Sequence, residues 1–157
     1  MQEIERKFLV KNQGFMAFAK KQFSIKQGYL SSHPERSVRI RITENQAFLT
    51  IKGKSSASGM SRFEWEKKID TKEAEQLFAL CENGCVVKTR YLVTYKNHIF
   101  EVDVFEEENQ GLIIAEVELE NENEIINLPD WIGEEVTGDQ KYYNAYLSKQ
   151  PFKTWKS

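Results

Sequence analysis

Charged and apolar residues alternate along much of this chain, beginning with Glu3, Glu5 and Lys7 on one parity and Ile4 and Phe8 on the other. In an extended strand, residues i, i+2 and i+4 share a face, so such a segment builds one ionic and one apolar face. The pattern predicts strands over residues 2–10, 24–32, 36–44, 46–53, 62–69, 85–95, 98–106 and 111–120. Most are joined by short turns such as Glu44-Asn45-Gln46 and Lys96-Asn97. Helical spacing is confined to a few segments. Phe15, Phe18 and Ala19 predict a short helix over 14–20. Asp70-Thr71-Lys72-Glu73 carries a capping-box signature, with Asp70 as the cap and Glu73 reaching back. An apolar stripe of Ala74, Leu77, Phe78 and Cys81 follows, and Asn83-Gly84 ends it. A last helix over 139–148 presents Tyr142, Tyr143 and Tyr146. Segment 53–61 reads as loop, 121–127 as an acidic connector, and no linker or repeat divides the single domain expected over 1–157.

The ionic parity recurs from strand to strand. It holds Arg39 and Arg41, Lys52 and Lys54, Arg62 with Glu64 and Glu66, Lys88 and Arg90, Glu101 and Asp103, and Glu116, Glu118 and Glu120. The other parity holds Val38, Ile40, Ile42, Phe63, Trp65, Val102, Val104, Val117 and Leu119. A flat sheet would leave the charges in water. Closing it into a barrel, with helices outside, puts the apolar parity against those helices and the ionic parity into the lumen. Barrels of about eight strands can hold a small ligand. The expected fold class is therefore α+β, mainly β: a closed or nearly closed antiparallel β-barrel forming a hydrophilic tunnel.

Bulk charge changes this picture little. With 22 bases against 24 acids and a net charge of −2, no general nucleic-acid or membrane-surface partner is expected. The near balance within the lumen says more, because unpaired buried charges are costly. It suits a ligand carrying both signs, a polyanion accompanied by divalent cations. Arg and Lys grip phosphate oxygens, and clustered carboxylates hold Mg²⁺ or Mn²⁺. The only cysteines, Cys81 and Cys85, lack further zinc ligands nearby and read as small apolar residues. His33 and His98 read as surface residues at turns. Gly53-Lys54-Ser55 is not a phosphate loop, since Phe48 stands where its first glycine would be needed. No apolar run is long enough for a membrane span and the first strand starts at about residue 2, so a cytoplasmic protein is expected.

Glu3-Ile4-Glu5-Arg6-Lys7 resembles the N-terminal signature of the CYTH superfamily, the triphosphate tunnel metalloenzymes. The resemblance continues in order through Gln27-Gly28-Tyr29-Leu30, Val38-Arg39-Ile40-Arg41-Ile42 and Leu49-Thr50-Ile51-Lys52. It extends to Arg62-Phe63-Glu64-Trp65-Glu66, Lys88-Thr89-Arg90-Tyr91, Glu101-Val102-Asp103 and Ala115-Glu116-Val117-Glu118-Leu119. Glu135-Val136-Thr137-Gly138-Asp139 and Tyr142-Tyr143-Asn144 resemble the short bacterial branch, which includes inorganic tripolyphosphatases. The resemblance implies a metal-dependent hydrolase of inorganic tripolyphosphate using Mg²⁺ or Mn²⁺, with the C-terminal helix at a tunnel mouth. It implies metal-side carboxylates at Glu3, Glu5, Asp103, Glu116 and Glu118. It implies a phosphate clamp of Lys7, Arg39, Arg41, Lys52, Lys88 and Arg90, with Lys54 and Arg62 beside it. Glu5 and Lys7 are the expected catalytic pair. A class IV-type adenylyl cyclase, a thiamine or nucleoside triphosphatase, and a non-catalytic polyphosphate- or nucleotide-binding protein stay open as alternatives, as does a homodimer.

Overall fold

The computed structural model describes residues 1–155. Its strands are β1 (Gln2–Val10), β2 (Ala19–Ser31), β3 (Arg36–Ile42), β4 (Ala47–Ser55) and β5 (Ser61–Ile69). They continue with β6 (Val86–Tyr95), β7 (His98–Phe105), β8 (Ile113–Glu118) and β9 (Ile132–Glu135). All pair antiparallel, in the order β5-β4-β3-β2-β6-β7-β8-β1-β9. β5 also pairs back onto β1, which closes the first eight strands into a ring. One edge of β1 pairs β8 over Glu5–Leu9, while the other is shared by β5 at Gln2–Ile4 and by β9 at Phe8 and Val10.

The ring is apolar on its outer face. Phe8, Val93, Phe100, Val102, Ala115 and Val117 form one exterior core with Phe15 and Trp131. Helix α1 (Thr71–Phe78) covers β3 and β4, packing Ala74, Leu77 and Phe78 against Ile40, Ile42, Ala47 and Leu49. Its C-terminal end presses on β2 at Gly28, where an added Cβ would lie 3.1 Å from the Cys81 sulfur. Cys81 thus packs in that seam, while Cys85 is exposed. A third cluster closes one end of the ring. Leu9, Val86, Phe105 and Ile114 share the parity of the lumen charges, but they meet Leu147 of α2 (Asn144–Lys149) in an apolar floor.

Several local expectations change. The helix expected over 14–20 is a 3-10 turn at Gln13–Phe18, capped by Asn12, and Ala19 already belongs to β2 because it pairs with Val93. Asp70 occupies the N-cap of α1 but its side chain makes no capping bond, so packing of the apolar stripe holds this short helix. The helix expected over 139–148 is broken at Tyr143, whose backbone is extended, into a 3-10 turn (Gln140–Tyr142) and α2. β9 carries no alternation to announce it. Among the described residues, no helix is long and apolar enough to cross a membrane.

Candidate active site

The ring order decides which charges face one another. β2 lies opposite β1, so its neighbours β3 and β6 face the neighbours of β1, β5 and β8. β3 contributes Arg39 and Arg41, and β6 contributes Lys88 and Arg90. The opposite arc holds Glu3 and Glu5 of β1, Glu64 and Glu66 of β5, and Glu116 and Glu118 of β8. All of these line one cavity of about 390 Å³, together with Lys7, Lys52, Arg62 and Glu101. Near-neighbour registers make it so: Glu5 stands across from Glu118 and Lys7 from Glu116.

Each arc leaves part of its charge without a partner. On the basic side, Arg41 has no carboxylate partner among the described residues and donates from Nε to Gln27 Oε1 at 3.0 Å. Withdrawal from bulk water, with Arg39 and Arg90 nearby, pulls its guanidinium down to about 9. Burial, aided by Arg90 and Arg41, brings Lys88 down to about 7 despite Asp103 at 2.7 Å. Arg39 is buried, and among the described residues its Nε has no hydrogen-bond partner. Its Nη2 donates to Thr50 Oγ1 at 3.1 Å and lies 3.5 Å from Glu66.

The acidic side mirrors this. Glu5 reaches lumen solvent yet lies deep in the ring, and that depth, with Glu116 and Glu3, pushes its carboxyl well above the usual value. Glu118 is raised in the same way, by burial and then by Glu101 and Glu3. Among the described residues, neither Glu5 nor Glu118 makes a salt bridge. Glu3 and Glu116 are better served. Lys52 sits 2.9 Å from Glu3 and outweighs the effect of burial, lowering its pKa. Burial would raise Glu116, but Lys7, Arg90 and Lys88 bring it to about 2.

Two expected site residues lie elsewhere. Lys54 is off the lumen, with its side chain exposed near Glu35 at 3.7 Å. A bulge causes this: Lys52 pairs with Glu64 but Ser55 with Arg62, so the extra residue on β4 shifts the parity. Asp103 is buried beneath the lumen wall, where Lys88 Nζ, Arg90 Nε and Arg90 Nη2 hold its oxygens at 2.7, 2.8 and 2.9 Å. Burial would raise its pKa, but these cations hold it well below the usual range. Asp103 therefore anchors Lys88 and Arg90 and does not itself line the cavity. Glu120 is exposed, outside the lumen lining.

Other lumen residues carried no period-two charge to reveal them. Gln27, Tyr29 and Thr50 are uncharged members of the lumen parity. Tyr143 and Asn144 come from the C-terminal segment, where strand spacing is silent. Tyr143 sets its ring 4.7 Å from Lys7 Nζ and 5.4 Å from the Arg62 guanidinium, and its hydroxyl meets Ser55 Oγ at 3.0 Å. Lys7 Nζ also donates to the Tyr142 carbonyl at 3.2 Å and lies 3.4 Å from Glu116.

A family model described as the CYTH domain matches residues 1–148. An inorganic triphosphatase of Acetivibrio thermocellus is 43% identical over 155 residues, spanning 98% of this chain and 97% of that protein. One from Nitrosomonas europaea is 37% identical over 153 residues, spanning 94% and 97%. A crystal structure of an inorganic triphosphatase superposes with a TM-score of 0.66 at 34% identity, covering 93% of this chain and 97% of the other.

Proposed function

The chain belongs to the CYTH family, and on that footing we propose that it hydrolyses inorganic tripolyphosphate to pyrophosphate and phosphate with the help of a divalent cation. The observation that carries this reading is the opposition of two under-compensated arcs across one cavity. A lone anion would meet the carboxylates and a lone metal would meet the bases. A metal–polyphosphate complex satisfies both sides.

The residues present fit such a cation. Among the described residues, no three or more His, Cys, Asp or Glu side chains already form a metal cage. A hard cation such as Mg²⁺ is commonly held by one or two carboxylates, with water and substrate phosphates completing its shell. Glu5 and Glu118, which lack salt-bridge partners, supply that minimum, with Glu3 and Glu116 beside them. Mg²⁺ or Mn²⁺ held there would neutralise phosphate charge and lower the pKa of bound water.

The chain's own residues do the rest. Arg39 and Arg41 offer forked donors to non-bridging phosphate oxygens, and the unpartnered Arg39 Nε is one such donor. Arg90, steadied by Asp103, adds fixed positive charge along the chain of phosphates, and a bound polyanion favours the charged form of Lys88 beside it. Lys52 and Arg62 extend this grip toward the open end. Lys7 keeps its proton: burial disfavours the charge, but Glu116 and Glu5 more than restore it. Its ammonium is the group we assign to the charge developing on the leaving phosphate, in line with a hydrolysis that depends on positioning and electrostatics. Glu5, two residues before Lys7 on the same face of β1, orients the attacking water.

Phosphate release from tripolyphosphate, ATP and thiamine triphosphate, each with Mg²⁺, Mn²⁺ or EDTA, tests the assignment. Metal-dependent release from tripolyphosphate, far above ATP, is expected. Cyclic AMP formed from ATP, or no release from any substrate, would overturn it.

A further inference from the structure

Lys88 and, through Gln27, Arg41 are tied to the C-terminal segment by the side chain of Asn144. Its Oδ1 accepts from Lys88 Nζ at 2.9 Å and from Gln27 Nε2 at 3.1 Å. Both partners are donors here. Gln27 must present its NH₂ to Asn144, because its own Oε1 accepts from Arg41 Nε. The chain of bonds thus has a fixed direction: Arg41 to Gln27, Gln27 to Asn144, and Lys88 to the same oxygen.

Lys88 shows what this direction is for. An ammonium has three N–H groups. One goes to Asp103 at 2.7 Å and one to Asn144, which leaves the third for the lumen that Lys88 lines. Without Asn144 the ammonium could turn about its Asp103 contact. The amide is well held in turn. Asn144 is the first residue of α2, whose Leu147 is fully buried in the apolar floor. The preceding Tyr143 is fixed by Lys7, Arg62 and Ser55. Asn is also better matched than Asp at this point, since a second carboxylate beside Asp103 would compete with the substrate for Lys88.

We propose that Asn144 is a positioning residue, whose side-chain oxygen aims the Lys88 ammonium at the substrate phosphates. The proposal rests on the reading of Lys88 as a phosphate ligand. It makes the C-terminal segment part of the phosphate clamp.

Steady-state hydrolysis of tripolyphosphate with Mg²⁺ or Mn²⁺ tests it on the wild type, Asn144→Ala, Lys88→Ala and the double variant. Asn144→Ala should lower kcat about tenfold, with KM changed by less than about threefold, as for an interaction that matters in the transition state. In the Lys88→Ala background the same substitution should change kcat by less than about twofold. Equal losses in both backgrounds, or no loss in either, would overturn the proposal. Asn144→Ser, which keeps a hydroxyl acceptor, serves if the alanine variant does not fold; it too should lose its effect once Lys88 is Ala, and an undiminished effect there would overturn the proposal. An inactive wild type would overturn the hydrolase reading and this inference together. An active wild type with an unimpaired Asn144→Ala overturns this inference alone.

Discussion

The wall built by β3, β2 and β6 and the wall built by β5, β1 and β8 use the same device for opposite ends. Each places side chains of predominantly one sign at period two, and each leaves part of that charge without a partner. On the basic wall the result is an Arg41 guanidinium pulled down to about 9 and an Arg39 Nε with no acceptor. On the acidic wall it is a Glu5 carboxyl pushed well up and a Glu118 with no cation. Neither wall would be tolerable alone at this depth. The difference teaches that the lumen is built for a ligand of mixed charge, with Lys7 set into the acidic wall and Lys52 of the adjoining β4 serving as its cations.

Breaking the acidic wall should have the largest effect. Glu5→Gln is expected to lower kcat about a thousandfold, measured by phosphate release at saturating metal. Its thermal midpoint should not fall, because a carboxylate without a salt bridge is removed. Stripping the metal with EDTA should reproduce that loss in the wild type, and added Mg²⁺ or Mn²⁺ should restore activity there but not in Glu5→Gln.

The basic wall should respond more gradually. Arg41→Ala is expected to lower kcat/KM about a hundredfold, and Arg41→Lys about tenfold, since a point charge replaces a fork. Behind that wall, Gly28→Ala should cost roughly 1–3 kcal/mol of stability, because the new Cβ meets Cys81 and Phe78 at 3.1–3.2 Å. A denaturant titration reads this directly. Lys54→Ala should leave kcat/KM within about twofold, as its ammonium faces solvent near Glu35.

The barrel and most of its lumen were legible because alternation survives wherever a strand runs without interruption. Glu3, Glu5 and Lys7, Arg39 and Arg41, and Lys88 and Arg90 all point where their parity says. Parity fails at Lys54 because one extra residue in β4 reverses it, and Gly53 inside that stretch is the only local hint of the bulge. It misleads at Asp103, where the facing direction is right but the two neighbouring bases claim both oxygens. The apolar floor was hidden for a related reason. Leu9, Val86, Phe105 and Ile114 continue the lumen parity but end the charge, and only Leu147 arriving from far along the chain explains why. Strand spacing could not place Tyr143 and Asn144; only the family resemblance implied a tunnel mouth for their segment, and tertiary contacts bring their side chains into the lumen.

The joint demand of the two walls is tested most directly by calorimetric titration of a non-hydrolysable imido-linked triphosphate into the protein, with Mg²⁺ or with EDTA. Tight binding with Mg²⁺ and at least about tenfold weaker binding in EDTA is the expected result, with Mg²⁺ in turn binding more tightly when the analogue is present. Equal affinity in both conditions would contradict it, and would mean that the basic wall holds the anion without help from the acidic one.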